Sequence, residues 1–168
     1  EDFTAAAILY DGTELELDLS YLPGLPDGFY AKLGSLAFNK QVDTLLARKA
    51  NEIEFPEDLQ KGRWGGVATQ GRKHLSARVK QDGDTHEVTL VLEITGNKDF
   101  NGEVAFLLHD SFKEMIAYRK IIGNKATCVL QSYEAFTVGT YVSDGTELEL
   151  DLNEQPGFPD SFYYAKHN

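Results

Sequence analysis

The stretch LLHDSF sets an imidazole, a carboxylate and a hydroxyl on three successive residues, His109, Asp110 and Ser111. These are the letters of a nucleophilic hydrolase, in which the acid is bonded to the imidazole and the imidazole to the hydroxyl. Adjacency works against that chemistry. In an extended chain successive side chains point to opposite faces, so Asp110 stands away from the face shared by His109 and Ser111. The other histidines, His74, His86 and His167, fall in turns, strand edges or the C-terminal tail. A second grouping, Glu147, Glu149 and Asp151, alternates with leucines, and three aligned carboxylates are ligands of the kind that hold Ca²⁺. Alternating acids more commonly keep an exposed strand face soluble and discourage edge pairing, and that is the expectation here. No CxxC, GxGxxG, Walker or HExxH pattern occurs, so no catalytic residue, metal ligand or cofactor is expected.

The formal charge of −11 and the scattering of Lys and Arg singly or in pairs argue against nucleic acid as a partner, because phosphate binding needs clustered cations. Cys128 is the single cysteine and lies in the apolar run ATCVL, which reads as a buried inert thiol and fits a reducing cytoplasm. No apolar run approaches the length of a membrane span, and no charged-then-apolar signal segment leads the chain.

The elements that must position these residues read mostly as strand. In TELELDL the leucines Leu148, Leu150 and Leu152 alternate with the acids, so period two sends the leucines to one face and the carboxylates, expected exposed, to the other. Further strands are expected at LSARVK, HEVTLVLEIT, EVAFLLH, AYRKII, ATCVLQSY and FTVGTYV, with tight turns at QDGDT, GNK and SDGT. That is roughly eight strands between Lys73 and Leu152, the signature of an all-β sandwich. One segment departs from it. NKQVDTLLARKA, Asn39 to Ala50, spaces Val42, Leu45 and Leu46 as a helix does, with basic residues near its end, and predicts a helix packed on a sheet. After it comes a Gly-bracketed tryptophan, QKGRWGG, where the second domain is expected to begin.

The nine residues DGTELELDL occur twice, at Asp11 to Leu19 and at Asp144 to Leu152. At the same offset Phe3-Thr4, Pro23-Gly24, Pro26-Asp27 and Phe29-Tyr30 match Phe136-Thr137, Pro156-Gly157, Pro159-Asp160 and Phe162-Tyr163. A period this long makes the repeating unit a domain rather than a stacked turn. Residues 1–32 are therefore expected to be the closing hairpin of an upstream copy, 33–53 a helical connector and 54–168 the complete sandwich. Leu15, Leu17 and Leu19 are expected to be buried on the complete domain or on a second chain, the latter a self-association by swap.

Leu108-His109-Asp110-Ser111-Phe112 followed by Tyr133-Glu134-Ala135-Phe136 resembles the two loop signatures of YEATS domains, an L-H-x-S-F stretch and a later aromatic-x-G-F turn. With QKGRWGG, GEVAFLLHDSF, AFTVG and DGTELELDL in order, the chain is similar to the prokaryotic YEATS family from about Phe55 to Tyr163. The resemblance implies an immunoglobulin-like β-sandwich. It also implies an aromatic slot for acylated lysine, with Phe112 and Tyr133 as the flanking rings. Ser111 would then be the hydroxyl that bonds the acyl amide, His109 the neighbouring polar wall and Phe136 a ring behind. Two function classes stay open. One is a non-enzymatic module that binds a peptide or protein carrying acylated lysine. The other is a scaffolding sandwich without that pocket, accessory to a signalling or defence protein.

Overall fold

A computed structural model describes residues 4–8, 14–18, 35–96 and 100–163; for 4–8 and 14–18 it describes the backbone alone. The elements are β1 (Thr4–Ile8), β2 (Glu14–Asp18), α1 (Leu36–Arg48), β3 (Thr69–Gln70), β4 (Lys73–Asp82), β5 (Thr85–Ile94), β6 (Gly102–Leu107), β7 (Ile116–Ile121), β8 (Lys125–Ser132), β9 (Thr137–Val142) and β10 (Glu147–Asp151), with a 3₁₀ turn at Asp160–Phe162. Strands β3 to β10 form two four-stranded antiparallel sheets, ordered β10-β9-β6-β7 and β3-β4-β5-β8. Leu75, Leu90 and Leu92 of one sheet meet Val104, Phe106, Val138, Leu148 and Leu150 of the other in the core. This is the expected immunoglobulin-like β-sandwich. The repeated hairpin is present too, β1 antiparallel to β2. The expected burial of Leu15, Leu17 and Leu19 lies outside the described side chains.

Local chemistry explains the turns. Between β7 and β8, Gly123 and Asn124 both have positive φ, 57° and 65°, as the twist-matching two-residue hairpin turn demands. In the DGT turn before β10, the Asp144 carboxylate accepts from the backbone N–H and the hydroxyl of Thr146, while Gly145 takes φ 90°. Lys73 closes on the same carboxylate at 2.6 Å. Burial pushes the Asp144 carboxyl up, but the bonds from Lys73 and Thr146 outweigh it and hold the group below its ordinary 3.8.

The helix begins earlier than the hydrophobic spacing predicts. Ser35 caps it, its hydroxyl accepting from Phe38 N–H at 3.3 Å, and the Glu103 carboxylate of β6 receives both Ser35 N–H and Ser35 O–H at 2.6 Å. A carboxylate at this end also suits the helix dipole. At the other end Arg63 donates to the carbonyls of Lys49 and Leu46. Between these ties Phe38, Val42 and Leu45 pack with Trp64, Ala105, Leu107 and Tyr118 on the outer face of sheet β10-β9-β6-β7, with Leu46 at the margin. Burial there raises the Tyr118 hydroxyl to about 12.

This second layer corrects the expectation of exposed acids. Leu148, Leu150 and Leu152 are buried as period two requires, but the opposite face is not open to water. Glu149 is only 5% exposed, and Glu147 and Asp151 are half-buried. The alternation located the carboxylates correctly; α1 and the loop 60–66 cover them, which a local pattern does not encode. Each acid has a partner. Glu147 pairs with Lys49 at 2.6 Å and Asp151 with Lys61 at 2.6 Å, a bond that raises the Lys61 amine. Glu149 accepts three backbone N–H groups, from Gly62 and Trp64 at 2.8 Å and Gly66 at 3.2 Å.

Trp64 rests against β9 at Gly139, where an added Cβ would lie 2.2 Å from the indole Cδ1. Gly139→Ala is expected to lower the urea unfolding free energy by about 1–3 kcal/mol through overpacking. Glu149→Ala, which strands three backbone donors, is expected to cost about 3 kcal/mol or more. A depressed carboxyl stabilises the fold above its unfolded value and loses that contribution as pH falls through its folded value. Asp144→Asn is therefore expected to flatten the acid limb of the stability–pH curve below about pH 4, leaving the curve at neutral pH shifted by a constant.

Candidate functional site

The LLHDSF strand ends at Leu107, and the next residues turn. Phe112 N–H donates to the His109 carbonyl at 3.1 Å, so His109 and Ser111 meet across a turn rather than along a strand face. His109 Nε2 is 3.2 Å from the Glu57 carbonyl, and Nδ1 is 3.1 Å from Ser111 N and 2.9 Å from Ser111 Oγ. A backbone N–H only donates and a carbonyl only accepts. The neutral ring therefore carries its proton on Nε2 and presents the Nδ1 lone pair to Ser111. That lone pair is shared by Ser111 N–H and the Ser111 hydroxyl, whose oxygen keeps lone pairs able to accept from outside. Asp110 Oδ1, 3.1 Å from the same Nδ1, becomes a favourable contact only when the imidazole is protonated. A hydrolase needs acid and nucleophile on opposite ring nitrogens, whereas here both crowd Nδ1 and a backbone carbonyl holds Nε2.

The aromatic residues divide. Phe112 packs edge-on against Phe136, with centroids 4.9 Å apart and an interplanar angle of 63°. Phe136 is buried and Phe112 half-buried. Tyr133 lies in the turn between β8 and β9 and is 76% exposed. Ser132 O–H closes that turn on the Glu134 carbonyl at 2.7 Å. Only Glu134 and Ala135 separate Tyr133 from Phe136, so their Cα atoms are within about 10 Å of each other. The structure thus brings His109, Ser111, Phe112 and Phe136 together, with Tyr133 exposed beside them.

Sequence reasoning missed the segment that holds this end of the sandwich. Glu57 accepts from His109, and the Asp58 carboxylate accepts Thr137 N–H and O–H at 3.1 and 2.7 Å, just after Phe136. Gln60 donates to the Leu108 carbonyl at 2.8 Å and accepts from Trp64 Nε1 at 2.7 Å. The Gly-bracketed tryptophan was the available signal. Glycines at positive φ, 75° at Gly62 and 66° at Gly66, let the loop curl its N–H groups around Glu149. Elsewhere a shallow groove of about 330 Å³ runs between α1 and Tyr141, and Lys40, Thr44 and Arg48 line it rather than any of these residues. Cys128 is buried, which pushes its thiol up. Among the described residues no group of three His, Cys, Asp or Glu is placed to hold a metal ion, and no helix is long and apolar enough to cross a membrane.

Residues 87–154 match the family model of the prokaryotic YEATS domain. The match runs from β5 past β10 and takes in His109, Ser111, Phe112, Tyr133 and Phe136, while α1 and the loop 57–66 precede it. No curated protein and no solved structure gives a significant match. The match suggests a binding module of YEATS type. The ring placements give a test by mutation. Phe112→Ala is expected to lower stability by about 1–3 kcal/mol in urea unfolding, and Tyr133→Ala by no more than about 0.5 kcal/mol, since only the first ring packs on another.

Proposed function

We propose, from the prokaryotic YEATS family to which residues 87–154 belong, that the chain is a non-enzymatic module binding a peptide or protein through acylated lysine. The observation that carries this reading is the Ser111 hydroxyl. It lies 2.9 Å from His109 Nδ1 beside the Phe112 and Phe136 rings, and its oxygen can accept an amide N–H there. Acylation gives lysine a planar neutral amide with that one donor, and its faces suit aromatic rings. Tyr133, exposed at 76%, supplies a ring free to close on the amide from the other side. The exposed carboxylates Asp110 and Glu134 at this rim favour basic residues flanking the acylated one.

The Phe112–Phe136 contact also favours a second reading, a scaffolding sandwich that uses this end as an interaction surface without a slot, accessory to a signalling or defence protein. Titration separates the two. An acetyl-lysine peptide with basic neighbours is expected to bind about tenfold tighter than its unmodified form. Ser111→Ala and Tyr133→Ala should each erase that ratio while the unfolding transition stays in place. Equal binding of both peptides, or binding of neither by the folded chain, removes acyl-lysine reading and leaves the scaffold.

A further inference from the structure

The imidazole of His109 has two sets of neighbours on one nitrogen, and they ask opposite things of it. Nδ1 lies 3.1 Å from Ser111 N, which can only donate, so this contact needs a bare lone pair on the ring. The same Nδ1 lies 3.1 Å from Asp110 Oδ1, which as a carboxylate can only accept, so that contact needs a proton there. A bare nitrogen satisfies the first and a protonated one the second. Both partners stand in place at once, so exchanging one for the other takes a proton and little movement.

The rest of the ring is held in either state. Nε2 carries a hydrogen in the neutral tautomer and in the imidazolium alike, so its bond to the Glu57 carbonyl at 3.2 Å survives protonation. The chain on both sides is tied without help from the imidazole. Gln60 Nε2 holds the Leu108 carbonyl at 2.8 Å, Phe112 N–H reaches the His109 carbonyl at 3.1 Å, and the Phe112 ring rests on Phe136. The change is therefore confined to Ser111. With Nδ1 bare, the Ser111 N–H and hydroxyl share its lone pair at 3.1 and 2.9 Å. With Nδ1 protonated, the N–H faces a hydrogen and loses its acceptor, and the hydroxyl oxygen must turn a lone pair to the ring.

We propose that His109 and Asp110 form a proton-operated latch on Ser111: the neutral ring holds the Ser111 backbone, and the imidazolium, paired with Asp110, releases it. An imidazole with a donor and an acceptor competing for one nitrogen has the form of a pH switch. The other titratable side chains in the segments around the ring are Glu57 and Asp58, Lys113 and Glu114 of its own turn, and Tyr133 and Glu134 between β8 and β9. All but Asp58 are exposed, and the Asp58 carboxylate is taken up by Thr137. Among the described residues Asp110 is the one acid within ion-pair distance of the ring. The latch itself needs no ligand; its bearing on binding rests on the acyl-lysine reading, which uses the Ser111 hydroxyl.

Nitrogen NMR of the full chain tests it. An N–H···N hydrogen bond passes a scalar coupling between its two nitrogens. Such a coupling between Ser111 N and His109 Nδ1 is expected while the ring is neutral, and its loss is expected in step with protonation of Nδ1, while the β5 and β9 amides keep their shifts. Asp110→Asn is expected to bring the midpoint of the ring titration down by roughly half a pH unit or more, and Glu134→Gln, which removes the same charge from the neighbouring loop, by less. An acetyl-lysine peptide with uncharged neighbours is expected to bind the imidazolium form about fivefold more weakly, with the same midpoint. No coupling in the neutral ring, or a proton on Nδ1 in place of Nε2, overturns the latch. Equal shifts in the two acid variants overturn the part given to Asp110. Peptide binding that ignores the ring charge while the coupling comes and goes overturns control of the site. A peptide bound at no pH, with the coupling lost on protonation as described, removes acyl-lysine reading and supports the latch alone.

Discussion

One buried carboxylate organises the end of the sandwich that carries the candidate site. Glu149, on the outward face of β10, gathers the N–H groups of Gly62, Trp64 and Gly66. A charge this buried is tolerable only when hydrogen-bonded, and a loop with this many outward donors is tolerable only when something accepts them. Each makes the other stable. With the loop so fixed, Trp64 lies on Gly139 and bonds Gln60, Gln60 holds the Leu108 carbonyl, Asp58 holds Thr137, and Glu57 holds His109. Both loops that carry the candidate site residues are therefore set from one segment, which lies before the stretch that matches the family.

The sandwich was legible in the sequence because its signals are local. Period two placed Leu148, Leu150 and Leu152 on the core face, Gly123-Asn124 marked a two-residue turn, and Val42 with Leu45 marked the helix. What covers a strand's second face is not local. Glu147, Glu149 and Asp151 look like a solvated edge until α1 and the loop 60–66 are laid over them, and their partners come from Lys49, Lys61 and backbone N–H groups nearly a hundred residues away. The helix start was missed for the same reason, since Ser35 is held by Glu103 of β6.

The candidate site residues come from the resemblance, and the structure adds only their geometry. His109 and Ser111 do meet, though through a turn, and the tautomer follows from Glu57, a residue that no spacing connects to them. Phe112 and Phe136 form a pair while Tyr133 stands out in solvent, a division set by which ring reaches the end of the core.

The role of Glu149 is tested most directly by backbone hydrogen exchange at Gly62, Trp64 and Gly66. These are loop residues, and loop amides ordinarily exchange through small local openings. If the carboxylate locks them, all three should exchange only with global unfolding, as slowly as the central amides of β5 and β9. Exchange of the three at ordinary loop rates, with the sheets still protected, would contradict the account.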